Sequence, residues 1–271
     1  MNKYIHLLKA KLNKYIIQSK WIIDSFILTR KYRKNSYHPK KLETDKLNKI
    51  LIIVPHADDD IIGCFPILRS SQKVFLYYIG NYKINDPLMT KKRDNEFRNL
   101  MEFFNHEVIS HITDDHSENI KKAIIDYNIS TIFTPDYIDW HEDHQIATTY
   151  LLHALMGNIS DINIFTYTIT VPHSPRGNKY FLPYSEAEQK IKWDLFKRYY
   201  PSQAFMPVKR FMINERINAA SISGDIYAAD IYESFSINQL DESFNNKPDQ
   251  LHRKGIYGLI NNLQKIHNYR Q

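Results

Sequence analysis

Three adjacent carboxylates, Asp58, Asp59 and Asp60, follow His56 in the stretch "PHADDD". Like charges packed this closely repel and raise one another's pKa, so a cation, a salt-bridge partner or open solvent has to neutralise them. A second polar cluster, "DWHEDHQ" over Asp139–Gln145, spaces His141 and His144 three residues apart. That spacing puts both imidazoles on one face, provided the helix has begun by then. Imidazole and carboxylate are donors for a divalent metal, and three ligands of His/His/Asp type plus a water make an open, hydrolytic zinc-type centre. A carboxylate outside the ligand set would take the water's proton. Chemistry alone leaves open which aspartate binds and which acts as base. Each cluster also has an ordinary explanation. An HxxH pair arises by composition in a chain with 12 histidines, and an acidic triplet often sits at a solvated helix N-terminus, favoured by the dipole.

Residues so far apart in sequence need a frame that brings them together. "KILIIVP" is a continuous apolar run, the pattern of a strand buried on both faces, and it leads straight into "PHADDD". A helix over Ile61–Ser70 and the strand "KVFLYYIG" come next. "DPLMTKKRDNEFRNLMEFFN" predicts a long amphipathic helix with Asp86 as N-cap and Pro87 in the first turn. Phe97, Leu100, Met101 and Phe104 form its buried stripe. A helix from Ser117, the strand "ISTIFTP", the helix "HQIATTYLLHALM" and the strand "INIFTYTITV" continue the alternation. Beyond Pro175 the pattern loosens into helices at Ser185–Tyr199, near Lys209–Ala220 and after Pro248. This predicts an α/β fold, a Rossmann-like, mostly parallel sheet with helices on both faces. Ligands of such sheets sit beyond the carboxyl ends of the strands, and both polar clusters fall there.

The bulk composition narrows the setting. With 271 residues and 43% hydrophobic content, the chain can bury a core as one large α/β domain or a domain with an appendage. One cysteine excludes an intramolecular disulfide framework and suits a reducing, cytoplasmic compartment. No signal peptide or membrane span is expected. Residues 1–42 carry eleven Lys/Arg and one acid, +10 of a net +6, which leaves −4 on the remaining 229 residues. The high pI therefore belongs to an N-terminal arm, and no nucleic-acid partner is expected. Within the arm, Ile5, Leu8, Leu12, Ile16, Ser19, Ile23 and Phe26 recur at helical steps, with Lys3, Lys9, Lys11, Lys14 and Lys20 off that stripe. Such an amphipathic helical arm either packs on the main domain or makes peripheral contact with an anionic membrane. "KNSYHPKK" reads as the linker, and the main domain is expected over 46–271.

"PHADDD" and "HEDH" resemble P-H-P-D-D-E and H-x-D-H, the paired motifs of the PIG-L/LmbE-like family of zinc-dependent de-N-acetylases. "IIGC" is similar to that family's L-G-C continuation, "RDNEF" to its R-x-x-E, and "YPSQ" at Tyr200–Gln203 to its Y-x-S-Q. The likeness spans about Lys49 to Gln203 in order and spacing. It implies that His56, Asp59 and His144 bind zinc, with another divalent metal as the alternative. It implies Asp58 as the general base, which then returns its proton to the leaving amine. His141 would stabilise the oxyanion or assist protonation, held by Asp143. Arg93 would grip a hydroxyl or phosphate of the substrate, although an Arg93–Glu96 surface pair is an equally simple use of the same spacing. Asp60 stands where the family has Glu and is expected to act behind the ligands or structurally. Ala57 replaces Pro, which is expected to loosen the loop slightly without removing a ligand, whereas Phe65 and Pro66 replace glycines, which is expected to crowd the site mouth. His173 is either a loop residue or close to the pocket, while Arg176 and Lys179 would suit an anionic headgroup.

The implied activity is metal-dependent removal of acetyl from an N-acetylated amino sugar or its conjugate: a nucleotide sugar, a lipid-linked sugar or a glycoside of a cell-surface polysaccharide or glycoconjugate pathway. Two alternatives come from other classes. One is a catalytically inactive carbohydrate-binding or scaffold protein. The other is a metal phosphoesterase, for which a second metal about 4 Å from the first would be diagnostic.

Overall fold

The sheet is built outward from β2 (Ile50–Val54), all five residues of which are fully buried. In the computed structural model, the described residues are Ser19, Ile23, Ile27, 38–80, 86–139, 141–156, 161–169, 177–204 and 206–246. β2 pairs in parallel with β3 (Val74–Tyr78) on one side and β5 (Thr131–Pro135) on the other. β4 (Glu107–Ile109) extends the first side and β6 (Asn163–Tyr167) the second, both in parallel. Beyond β6 come β8 (Ala228–Phe235), antiparallel to both its neighbours, then β7 (Asn178–Tyr184), and finally β1 (Lys40–Lys41), parallel to β7. The order is β1-β7-β8-β6-β5-β2-β3-β4, one mixed, mostly parallel sheet of eight strands. Chain connections leave β2 in opposite directions, so the topological switch point lies between β2 and β5.

Helices cover both faces, and the two-residue period of β2 shows it. Ile50, Ile52 and Val54 pack with α1 (Asp59–Leu68), α2 (Pro87–Phe104), α5 (Glu186–Tyr199) and α6 (Val208–Ile222). Leu51 and Ile53 pack with α3 (His116–Asp126), α4 (Glu142–Leu155) and α7 (Ile237–Asn245). A strand buried on both faces reads as an unbroken apolar run, which is why β2 was legible.

The helix expected from Ser117 begins one residue earlier. Its cap is the carboxylate of Asp115, which accepts from Ser117 N at 2.8 Å and Glu118 N at 3.2 Å. The strand expected over "INIFTYTITV" stops at Tyr167. Sequence periodicity missed β4, β7, β8 and α7. In β7 and β8 the apolar run is broken by Lys179, Pro183, Asp230 and Glu233, and these charges are internal because they pair: Lys179 with Glu233, Lys192 with Asp230. The sheet also reaches into the segment read as arm and linker. Lys40–Lys41 pairs with Tyr180 and Phe181, and Leu42 is a core residue. The arm helix lies outside the described residues except for Ser19, Ile23 and Ile27, which are helical. The C-terminal helix after Pro248 lies outside them entirely. Among the described residues no helix is long and apolar enough to cross a membrane.

Candidate metal centre

His56 and the three aspartates leave the carboxyl end of β2; Asp139, His141, Asp143 and His144 follow β5. The two clusters meet at the switch point. Asp59 Oδ2 lies 3.1 Å from His56 Nδ1 and 3.1 Å from His144 Nε2. In a tetrahedral zinc centre with bonds of about 2.0–2.1 Å, ligand atoms stand roughly 3.3 Å apart, so this trio of donors fits a divalent ion in chemistry, and both separations from Asp59 are of that order. His141 stands close by. One ring nitrogen from each of His56, His141 and His144 lies within 4.8 Å of the others, so the geometry also brings together a three-histidine donor set.

What lies behind the histidines orients their rings. A metal-bound imidazole usually gives its second nitrogen to a carboxylate or carbonyl, which fixes its orientation. His56 Nε2 is 2.9 Å from Asp143 Oδ2, and His144 Nδ1 is 3.3 Å from Asp139 Oδ2. Both histidines of the His56/Asp59/His144 set are thus backed by an aspartate. Asp143 Oδ2 lies 3.4 Å from His141 Nδ1, farther than from His56, so it serves two rings where the sequence suggested one. Asp139 stood in the quoted cluster without an assigned role. Its carboxylate also accepts from Ile169 N at 3.1 Å, tying the centre to the end of β6.

The local fold explains how the loop is held. Asp58 adopts φ 119°, a backbone conformation that a side-chain-bearing residue rarely takes, just before α1 begins at Asp59. Strain of this kind persists only where surrounding contacts over-determine it, and it clusters at functional sites. Here the contacts come from "YPSQ". Tyr200 donates to both oxygens of Asp60, at 2.8 and 2.9 Å. Ser202 gives its hydroxyl and backbone N–H to Glu96, at 2.5 and 3.1 Å. Gln203 reaches the carbonyl of Ala57 at 3.5 Å. Glu96 is therefore buried against Ser202 rather than exposed beside Arg93. Phe65, expected at the site mouth, is a fully buried core residue instead.

Electrostatics tune neighbouring groups in opposite directions. Burial, reinforced by the charge of Asp59, pushes the Asp58 carboxyl well above its usual range. Burial acts the same way on Asp59, but the charge and hydrogen bonds of His144 and His56 hold it far below that range. Burial raises Asp60 to about 7, against the pull of Tyr200. For His56, hydrogen bonds to Asp143 and Asp59 outweigh burial and raise it to about 9. His141 is lowered to about 4 by burial and by the neighbouring His56 and His144 charges. The charge of Arg93, half-buried on α2, acts on Asp58. Arg210, at the start of α6, is lowered to about 10 by burial while Asp139 pulls the other way. Nothing in its sequence context marked Arg210. Lys179, read as facing an anionic headgroup, is buried in its pair with Glu233. His173 and Arg176 lie outside the described residues.

No protein-family profile and no curated protein matches the sequence. In structure, the chain is similar to the zinc-inhibited form of teicoplanin deacetylase Orf2, with TM-score 0.54, 11% identity, 69% of this chain and 97% of that one covered. It is also similar to the A40926 pseudoaglycone deacetylase Dbv21, with TM-score 0.53 and 15% identity over 70% of this chain and 98% of that one. The chain has the PIG-L/LmbE-type fold of these deacetylases. The conserved protein TT1542 from Thermus thermophilus shares it, with TM-score 0.54 and 16% identity over 69% of this chain and 94% of that one. At such low identity the likeness is one of fold.

Proposed function

We propose that the chain is a metal-dependent hydrolase that removes the acetyl group from an N-acetylated amino sugar or its conjugate, releasing acetate and the free amine. The observation that carries this reading is the convergence of His56, Asp59 and His144, each histidine backed by a carboxylate, in a fold shared with deacetylases. These three residues would hold the metal. A divalent ion held by them would supply Lewis-acid chemistry, easing the deprotonation of a water and polarising the acetyl carbonyl. Asp58, adjacent to the ligand Asp59 and fixed by its strained backbone, would be kept ionised by the neighbouring cation, so that it takes the proton of the attacking water and passes it to the leaving nitrogen. His141 faces the carbonyl oxygen, where negative charge develops and a donor helps most. Asp143 orients His56 and His141 together. Arg93 binds a hydroxyl or phosphate of the substrate.

In the same reading, the domain proper runs through 46–271, with β1 as an added edge. The basic arm rests on an anionic membrane surface, near a lipid-linked or otherwise anionic sugar substrate. The +10 charge of residues 1–42 and the exposure of Ile23 and Ile27, one helical turn apart, support that placement.

Metal analysis of purified variants tests the roles. Asp58→Ala should keep its metal and lose turnover by about 100-fold or more, the usual worth of a general base, whereas His144→Ala should lose both. His141→Ala should retain metal. Unchanged turnover in Asp58→Ala would remove it as the base, and loss of metal from His141→Ala would favour the three-histidine set.

A further inference from the structure

α1 carries the ligand Asp59 in its first turn, yet it contains a proline. Pro66 has no N–H to give to the carbonyl of Ile62, four residues earlier, and the helix leaves helical geometry at Cys64 (φ −130°, ψ 20°). A donor for that carbonyl comes from another element. Lys192 of α5, fully buried, donates from Nζ to Ile62 O at 2.8 Å.

An ammonium has three protons to give and is costly to bury unless all are used. The other two go to carboxylates: Glu215 Oε1 at 2.8 Å, and Asp230 at 3.2 and 3.3 Å. Glu215 is anchored in turn by Gln189 Nε2 at 2.6 Å and Trp193 Nε1 at 3.1 Å. The position of Nζ is therefore set from α5, α6 and β8 together. On the other side of the turn, Gly63 lies so close to Tyr167 that a Cβ would collide with its ring. Ile62 carries the restraint onward, because its own N–H donates to the carbonyl of Asp58 at 3.0 Å.

We infer that Lys192 is a positioning residue for the metal centre. It supplies the hydrogen bond that Pro66 withholds from α1, and so fixes the turn that bears Asp58 and Asp59. This rests on the metal-hydrolase reading above.

The test is cobalt(II) and zinc affinity of the full chain, together with the cobalt absorption spectrum, which reports ligand geometry. Lys192→Met/Glu215→Gln removes a buried cation and a buried carboxylate together. Lys192→Gln/Glu215→Gln is a milder version whose shorter amide stops short of Ile62. Both should unfold cooperatively, bind metal about tenfold or more weakly, in line with residues that support a ligand from behind, and shift the spectrum. Adding Pro66→Ala returns an N–H four residues after Ile62, the position from which a helix would serve that carbonyl, and should recover most of the lost affinity. Wild-type affinity and spectrum in the folded double variants would overturn the inference. So would a loss that Pro66→Ala does not repair. If the wild-type protein itself binds no metal, the metal reading falls, and this inference with it.

Discussion

Asp58 and Asp59 are neighbours in the chain and almost equally buried, yet one is pushed towards holding a proton and the other away from it. The difference lies in what each faces. Asp59 meets two imidazoles, while Asp58 meets the charge of Asp59. Asp60 differs again, closed off by Tyr200. Replacing Tyr200 with Phe removes that donor and leaves a buried carboxyl short of a partner, a loss of about 1–3 kcal/mol in unfolding free energy; urea titration that found no change would show that Asp60 is satisfied otherwise. The buried group around Lys192 has a second signature. One ammonium faces two carboxyls, and burial raises Asp230 to about 7 against the pull of Lys192. Unfolded, an aspartate titrates near pH 4. The contribution of this group to stability is therefore complete below pH 4 and lost as pH rises to about 7. Asp230→Asn cannot titrate, so the stability of wild type minus variant should fall between pH 4 and 7, then level off. A difference that rose over that window would contradict the assignment. At this scale the sequence disclosed residue types and spacing, enough to mark the two polar clusters as donors for one metal; the choice of His56, Asp59 and His144 among them came from the resemblance to the PIG-L/LmbE-like motifs. The sequence could not disclose Asp139 or Tyr200, whose parts depend on which carboxylate ends up behind which ring.

Among the elements, α1 holds the most tension between local and tertiary demands. Its first turn must present Asp59, its middle contains Gly63 and Pro66, and it is kept in place from outside by Tyr167 and Lys192. Gly63→Ala forces a methyl into the Tyr167 ring. We expect a cost of about 1–3 kcal/mol, as for overpacked cores, read as a fall in the midpoint of chemical unfolding. A variant as stable as the parent would mean that the ring can move away. Elements whose pattern is set by a uniform environment were legible: β2 by its apolar run, α2 by Asp86, whose side chain accepts from Leu88 N and Met89 N. β7 and β8 were not, since their buried charges read as surface until the partners on α5 and across the sheet are known. β4, three residues long, is too short for periodicity to register.

At the scale of the molecule, connections that diverge from β2 put the topological switch point between β2 and β5, and both polar clusters meet there. The arm is a separate functional unit in this account. Removing residues 1–37, which spares β1 and Leu42, should abolish binding to vesicles containing anionic lipid while leaving metal content unchanged. Equal vesicle binding by the truncated protein would remove the membrane role. The central claim is that the centre at β2 and β5 hydrolyses an acetamide with a bound metal. The most direct measurement is acetate release from a panel of N-acetylated sugars, nucleotide sugars and glycolipids, by metal-stripped protein before and after one equivalent of zinc or another divalent ion is restored. The account predicts no release from the stripped protein and recovery with a single equivalent. Release that is indifferent to metal, or a reconstituted protein that releases no acetate from any member of the panel, would contradict it.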